Sequence, residues 1–389
     1  MPRPLVATFP LLVAYLLAHA VAQSLGSGQL RPRPGEGREL EGPPPNIREY
    51  QPRSTLVVPQ HPVPRAKFPV IDIHGHPPPL TRADVVELVV ETMDPLNLRV
   101  MVNANSTSGD ELKEALEAIR ASRTSDRIVM FTGVDLRDVG PGAGSKLAQQ
   151  LEADVKAGAR GVGEISKDFG LRLNKRDGAR LRLDDAELDP VWQAAARLSI
   201  PVFIHVADPA EFFQPFDYHN ERWLELALYP ERRYQDRSTF VSFEELMAER
   251  DRLFARHPRT TFILAHLGWH ANDLARLGAI FDRMPNVYAE VGAVLYDIGR
   301  QPHTAHDFFV KYQDRILFGK DSYQPDEYPY YWRVFETHDE YFDYYRDYHA
   351  FWKLYGIGLP DRVLRKLYYG NALKVVPGLP RVAHVDLGR

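Results

Sequence analysis

From Phe68 almost to the C-terminus, short apolar runs of strand type alternate with amphipathic stretches of helical type, and few folds accept such an alternation. The strand-like runs are Val70 to Ile73, Arg99 to Val102, Ile128 to Phe131, Gly161 to Ile165, Pro201 to Ile204, Thr261 to Leu264, Val287 to Glu290 and Arg315 to Phe318. Helical patterns lie between them at Arg82 to Glu91, Asp110 to Ala121, Lys146 to Lys156, Glu187 to Leu198, Phe243 to His257, Leu274 to Met284 and His306 to Gln313. The runs are apolar throughout rather than alternately polar, as expected of strands buried on both faces. Eight strands linked by seven helices predict an α/β fold, a (β/α)8 TIM barrel over residues 68–380; an open doubly wound sheet is the alternative. Two stretches exceed the repeat. Residues 207–240 predict an excursion over one face between the fifth and sixth strands, and 322–360 form a tyrosine-rich segment. The run Tyr328 to Tyr348 reads as aromatic helices packed on a barrel, with a carbohydrate platform as the alternative.

The N-terminus predicts export. Arg3 precedes an apolar run from Leu5 to Ala18, and Ala20-Val21-Ala22 forms a small-x-small site, so residues 1–22 read as a signal peptide cleaved after Ala22. A membrane anchor fits less well, because the run is short, contains Pro10 and leads into polar residues. The expected location is periplasmic or extracellular, with no membrane partner after cleavage. Residues 23–67, rich in Pro and Gly, read as a linker or surface wrap. The chain has no cysteine, so no disulfide staples it and any metal must be held by His, Asp or Glu. With 48 basic and 52 acidic side chains, a net charge of -4 and no concentrated basic stripe, nucleic acid is not an expected partner. A small-molecule substrate is, and a homo-oligomer is compatible with the sequence.

In such a barrel the C-terminal strand ends converge on one mouth, so the residues that end the strands carry the chemistry. The first strand runs into His74-Gly75-His76, and period-2 alternation puts both imidazoles on one side. The fourth ends at Glu164, the fifth at His205, the sixth at His266 and the eighth at Asp321. A single histidine at a strand end is more often a hydrogen-bonded structural residue than a ligand. Six such groups at one level are another matter, since burying them together without a cation leaves polar atoms competing for few partners. Asn103, Asn105, Trp269, His270 and Tyr323 follow strands and are candidates for lining a pocket, with loop packing as their plain alternative.

His74-Gly75-His76, His205 after Val202-Phe203-Ile204, His266 in Leu264-Ala265-His266-Leu267-Gly268 and Asp321 in Leu317-Phe318-Gly319-Lys320-Asp321 resemble the amidohydrolase superfamily. The similarity is to its amidohydrolase-related branch, which includes aminocarboxymuconate semialdehyde decarboxylase, benzoate decarboxylases and a pyrone dicarboxylate lactonase. It spans residues 68 to about 377, closing with Tyr369-Gly370-Asn371-Ala372. The resemblance implies one divalent cation, zinc, on His74, His76, His205 and Asp321, with a metal-activated water in the open position. It implies that Asp321 is also the proton acceptor and that His266 stands beside the water. Glu164 becomes a second-shell carboxylate, or alternatively a bridge between two metals with His266 on the second. A buried salt bridge with Lys167 or Lys320 is its structural alternative, and alternation turns Lys320 itself away from Asp321. The expected activity is metal-dependent hydrolysis of a small amide, ester or lactone. Non-oxidative decarboxylation of an unsaturated or aromatic acid is the alternative, and a non-catalytic metal-bound binding protein is a third reading, which a missing ligand would signal.

Overall fold

In the computed structural model, which describes residues 39, 41–349 and 352–380, every predicted strand forms and every predicted helix follows in its place. In order, the elements are β1 Val70–His76, α1 Ala83–Met93, β2 Leu98–Asn103, α2 Gly109–Ala121, β3 Ile128–Met130, α3 Ala143–Ala157, β4 Val162–Ile165 and α4 Asp189–Leu198. Then come β5 Val202–Ile204, α5 Phe243–Arg256, β6 Phe262–Leu264, α6 Leu274–Arg283, β7 Val287–Glu290, α7 Pro302–Lys311 and β8 Ile316–Leu317, with a short β9 Asp321–Ser322 prolonging β8. The expected signal peptide, residues 1–22, lies outside the described residues.

All pairs among these strands are parallel, in the order β3-β2-β1-β9 and β4-β5-β6-β7-β8. Two seams join the halves. Thr132 bridges to Val162, with Gly163 N–H donating to Thr132 O at 2.8 Å, and Ile73 N–H donates to Phe318 O at 3.1 Å. The sheet therefore closes on itself, and an open doubly wound sheet is excluded. Apolar strand side chains on both faces of the sheet are solvent-free, among them Val70, Ile71, Val100, Val202, Phe262 and Leu317. The helices turn one apolar stripe inward; in α1 the buried residues Val86, Val89, Val90 and Met93 recur at helical spacing. Ser242 caps α5 through Glu245 N–H at 3.1 Å, and Asp273 caps α6 through Arg276 N–H at 3.0 Å.

The two excursions differ from the barrel in kind. Between β5 and α5 the chain makes a 3-10 turn at Ala210–Phe213, a short helix at Trp223–Leu228 and another turn at Pro230–Arg232. After β9 it forms α8 Tyr328–Glu336 and an antiparallel pair, β10 Phe342–Asp343 with β11 Lys353–Leu354. Tyr328, Tyr331, Trp332 and Phe335 are buried, with Trp332 against Phe318 and Tyr368 at ring distances of 4.8 and 5.2 Å. These aromatics are core, so the carbohydrate-platform alternative fails for α8. Residues 60–67 wrap the barrel surface: His61 N–H donates to Asp339 at 2.6 Å and Lys67 N–H to Glu336 at 3.0 Å. The described residues up to Thr55 form a separate unit that contains no helix or strand. No helix among the described residues is long and apolar enough to cross a membrane.

Candidate metal centre and active site

Extended backbone carries Asp72, His74 and His76 to the same side of β1, and each is locked in place by a partner on another element. Asp72 accepts the amides of His74 (2.9 Å) and Lys320 (3.1 Å) and the Tyr328 hydroxyl (2.6 Å), tying β1 to the strand on its far side and to α8. Buried His74 directs Nδ1 at Glu290, 3.0 Å away. His76 directs Nδ1 at the amide oxygen of Asn105 (2.8 Å), whose nitrogen is oriented by the carbonyl of Pro77 (2.9 Å). His266 directs Nδ1 at the carbonyl of Gly292 (2.8 Å). All three partners are acceptors, so each Nδ1 carries a proton, and in the neutral ring each Nε2 offers its lone pair.

Those lone pairs converge. The Nε2 atoms of His74 and His76 are 3.1 Å apart, and Glu164 Oε2 lies 3.4 and 3.2 Å from them. The other oxygen, Oε1, is 2.8 Å from His205 Nδ1, without the alignment of a hydrogen bond, and 3.9 Å from His266 Nε2. Asp321 Oδ1 is 3.8 Å from both β1 imidazoles; its neighbour Gly75 pairs with it across the β1–β9 register, which sets the height of the carboxylate. His266 owes its position to a left-handed turn. His266, Leu267 and Gly268 have φ of 57°, 50° and 63°, and Trp269 continues at 55°, a conformation costing roughly 1–2 kcal/mol for each non-glycine residue. The turn stands His266 beside the rings of His205 (4.4 Å) and Trp269 (4.5 Å). Glu290, at the end of β7, braces the centre from behind: it takes His74 Nδ1 and the amides of His266 (2.7 Å) and Gly292. Gly319 leaves room for it, since a Cβ there would fall 2.3 Å from Glu290 Oε2.

The electrostatics call for positive charge between the rings. Burial alone would lower the His74 imidazole, yet Glu164 and Glu290 on either side raise it well above its usual range. Burial would raise Glu164, and His74 and His205 outweigh it to hold the carboxyl well below its usual range. Burial, followed by His205, pushes His266 down to about 4, so it is neutral at pH 7. Two facing imidazole lone pairs, an unpartnered His205 Nε2 and an unpartnered Glu164 Oε1 among the described residues are atoms that a cation satisfies and a hydrogen-bond network does not. The donor set therefore fits a divalent metal. Three overlapping groups have ligand-like spacing: His74-His76-Glu164, Glu164-His205-His266 and His74-His266-Glu290. The salt-bridge alternative for Glu164 fails, because Lys167 is engaged by Asp208 (2.7 Å) and Lys320 by Glu327. Lys320 faces away from Asp321, as alternation predicted.

Above the centre opens a cavity of about 250 Å³ with His205, His266, Trp269 and Asp321 in its floor. Of the pocket residues expected from the sequence, only Trp269 lines it, its indole N–H held by Ala207 O at 3.0 Å. Four expectations are corrected, the first being Asn105, which turns to His76 and Pro77 instead. Asn103 is buried and spends its side-chain oxygen on the Asn105 amide. His270 points behind the left-handed turn, where Arg250 Nη2 faces its Nε2 at 3.3 Å. Tyr323 lies against α1, its hydroxyl donating to Val89 O at 3.1 Å. Sequence reading also missed residues. Glu290 ends β7 much as Glu164 stands last but one in β4, a signal that was present. Arg222, Glu225, Arg346 and His349, which wall the cavity, sit in the irregular excursions and carry no such signal.

No curated protein matches the chain. Among solved structures it is similar to an uncharacterised TIM-barrel protein of Bordetella bronchiseptica, at 16% identity and TM-score 0.48, over 82% of this chain and 100% of that one. It is similar to a dihydroxybenzoic acid decarboxylase from a Polaromonas species, solved with manganese and 2-nitroresorcinol, at 16% identity and TM-score 0.48, over 79% and 96%. A third is a 5-carboxyvanillate decarboxylase of Sphingomonas paucimobilis, at 13% identity and TM-score 0.43, over 80% and 99%. The profile of the amidohydrolase family matches residues 71–378, a span that runs from within the first strand past the last and takes in all six residues of the centre, and the chain belongs to that family.

Proposed function

We propose that the protein is a divalent-metal hydrolase acting on a small amide, ester or lactone, with Glu164 shared between two cation positions. The observation that carries this reading is the convergence of imidazole lone pairs on the two oxygens of one carboxylate at the base of an open cavity. His74, His76 and Asp321 would hold one cation with Glu164 Oε2, and His205 and His266 the other with Oε1. An imidazole-rich, thiol-free donor set suits zinc. When bound, such a cation polarises a carbonyl oxygen and lowers the pKa of water from 15.7 towards about 7. The remaining work falls to the chain. His266 is neutral with its proton pinned on Gly292, so it has none to give to a developing oxyanion and serves as a ligand. Asp321 keeps 31% of its side chain accessible in the cavity floor; burial would raise its carboxyl, but His74 and His266 hold it below its usual range. It is the group placed to take the proton of the attacking water. Export by the N-terminal segment would place this activity outside the cytoplasm, and N-terminal sequencing of the mature protein, expected to begin at Gln23, tests that.

Decarboxylation of an unsaturated or aromatic acid is a second reading, favoured by the basic side chains that line the cavity. Product analysis separates the two: hydrolysis puts solvent oxygen into the product, decarboxylation releases carbon dioxide. Elemental analysis tests the centre. Wild type should hold two equivalents and His266→Ala one, with turnover down by ~100-fold or more. One equivalent in both proteins would overturn the shared carboxylate.

A further inference from the structure

Packing explains the buried Trp332, Val334 and Phe335 of α8, but not why two of its other buried rings carry hydroxyls. A phenylalanine would fill the space of Tyr328 or of Tyr331, and a hydroxyl taken out of water costs free energy unless it finds a partner. Both hydroxyls have one, and each partner stands one step behind the metal centre.

The Tyr328 hydroxyl donates to Oδ2 of Asp72 at 2.6 Å and leaves Oδ1 to the amides of His74 (2.9 Å) and Lys320 (3.1 Å). One carboxylate plane thus fixes His74 together with the residue before Asp321. The Lys320 ammonium adds a second tie, donating to Ser322 O in β9 (3.0 Å) and to Glu327, the residue before α8. Tyr331 acts on the other side of the centre. Its hydroxyl accepts the Ala293 amide at 3.0 Å, and that amide belongs to the same peptide unit as the Gly292 carbonyl, which takes the His266 Nδ1 proton at 2.8 Å. The N–H and C=O of a trans peptide point in opposite directions, so holding the first aims the second. Ala293 has φ of 54°, a left-handed conformation that a residue with a Cβ keeps only where its neighbours hold it.

We infer that Tyr328 and Tyr331 are positioning residues of the metal centre: their hydroxyls, three residues apart on one helix, set the ligands of β1 and β9 from one side and His266 from the other. The inference rests on the reading of the centre as a metal site and holds for either reaction proposed above. Cobalt titration of the full-length protein against a chromophoric chelator tests it, with the visible absorption of the cobalt-loaded protein as a second readout. Tyr328→Phe and Tyr331→Phe keep the rings and lose the hydroxyls. Each should weaken metal binding by about 10- to 100-fold, the usual effect of losing a group behind a ligand, and alter the cobalt spectrum. Tyr368→Phe is the control for a merely structural loss, since buried Tyr368 donates to Glu336, the last residue of α8, at 2.9 Å. It should lower the melting temperature and leave metal affinity and the cobalt spectrum as in wild type. Unchanged metal affinity in either Tyr328→Phe or Tyr331→Phe overturns the inference, and if one of them does not fold the other decides. An equal loss of affinity in Tyr368→Phe also overturns it, because any loosening of α8 would then suffice. A wild type that binds no metal sinks the reading of the centre and this inference with it, whereas a metal-binding wild type with variants of equal affinity sinks this inference alone.

Discussion

The strand ends of the barrel and the two excursions above them face the same cavity, and they place their side chains by different means. At the strand ends position follows from register: Asp321 sits beside Gly75 because β9 pairs with β1, and His74 and His76 share a side because the strand alternates. In the excursions nothing repeats. Arg222 and Glu225 meet because they lie three apart at the start of a six-residue helix, and Arg222 meets His349 across a sequence separation of 127. Register gives the centre a geometry common to barrels of this kind, whereas the excursions give this chain its own wall. On the function proposed above, reaction would fall to the scaffold and recognition to the loops.

The sharpest way to break that division is to remove the first-strand pair. His74→Ala with His76→Ala should strip the metal and reduce turnover to background while the far-ultraviolet circular dichroism stays that of wild type, because the barrel core lies in residues such as Val70, Ile71 and Val100 rather than at the mouth. Metal that binds only the folded chain stabilises it, by about 4 kcal/mol at a thousandfold excess over its dissociation constant, so a chelator should lower the melting temperature of wild type and leave the double variant's unchanged. Full metal content in the double variant would show that the centre does not rest on β1.

A smaller effect is expected one layer behind. Glu290 touches no substrate; it holds the His74 proton on Nδ1 and takes the His266 and Gly292 amides. Glu290→Gln keeps the size and loses the charge, and metal affinity should fall by about 10- to 100-fold, the usual cost of losing a partner behind a ligand. Activity should return at saturating metal, a rescue that a merely misfolded protein would not show. Failure of metal to restore turnover would make Glu290 part of the chemistry rather than of its positioning.

What the sequence made legible follows the same divide. Eight strands, the helices between them and six converging side chains could be read because period-2 and period-3.6 patterns are local, and because strand ends in a barrel share one level. Glu164 was found with two alternative places, behind the ligands or between two metal positions, and the choice depends on how its oxygens meet His74, His76 and His205, which no local pattern gives. Asn103 and Tyr323 were misplaced for a related reason. Following a strand puts a residue near the mouth, and which way it turns is then decided by neighbours such as the Asn105 amide and Val89 O, far away or invisible to periodicity. The donors of the cavity wall lie in segments without a period, so no pattern announces them.

The border between scaffold and loop gives the smallest prediction. His270 follows the left-handed turn that carries His266, and it was expected in the pocket; instead it is buried beside Arg250, which donates to Gly268 O at 3.1 Å and so fastens the turn. Burial first, then Arg250 and Arg276, push this imidazole down to about 2. The sign follows from which state binds the proton. Below about pH 6.5 the unfolded imidazole is protonated while the folded one is not, so the unfolded chain gains protons and the fold loses stability as the pH falls. The limiting slope is about 1.4 kcal/mol per pH unit, which amounts to roughly 1 kcal/mol between pH 7 and 5.5. His270→Gln retains an acceptor for Arg250 and cannot titrate. Its urea midpoint should lie below wild type at pH 7, and the gap should narrow or reverse at pH 5.5. Parallel shifts of the two proteins between these pH values would mean that His270 is protonated in the folded state after all, and the turn behind His266 would then be held by an ion network rather than by a neutral ring.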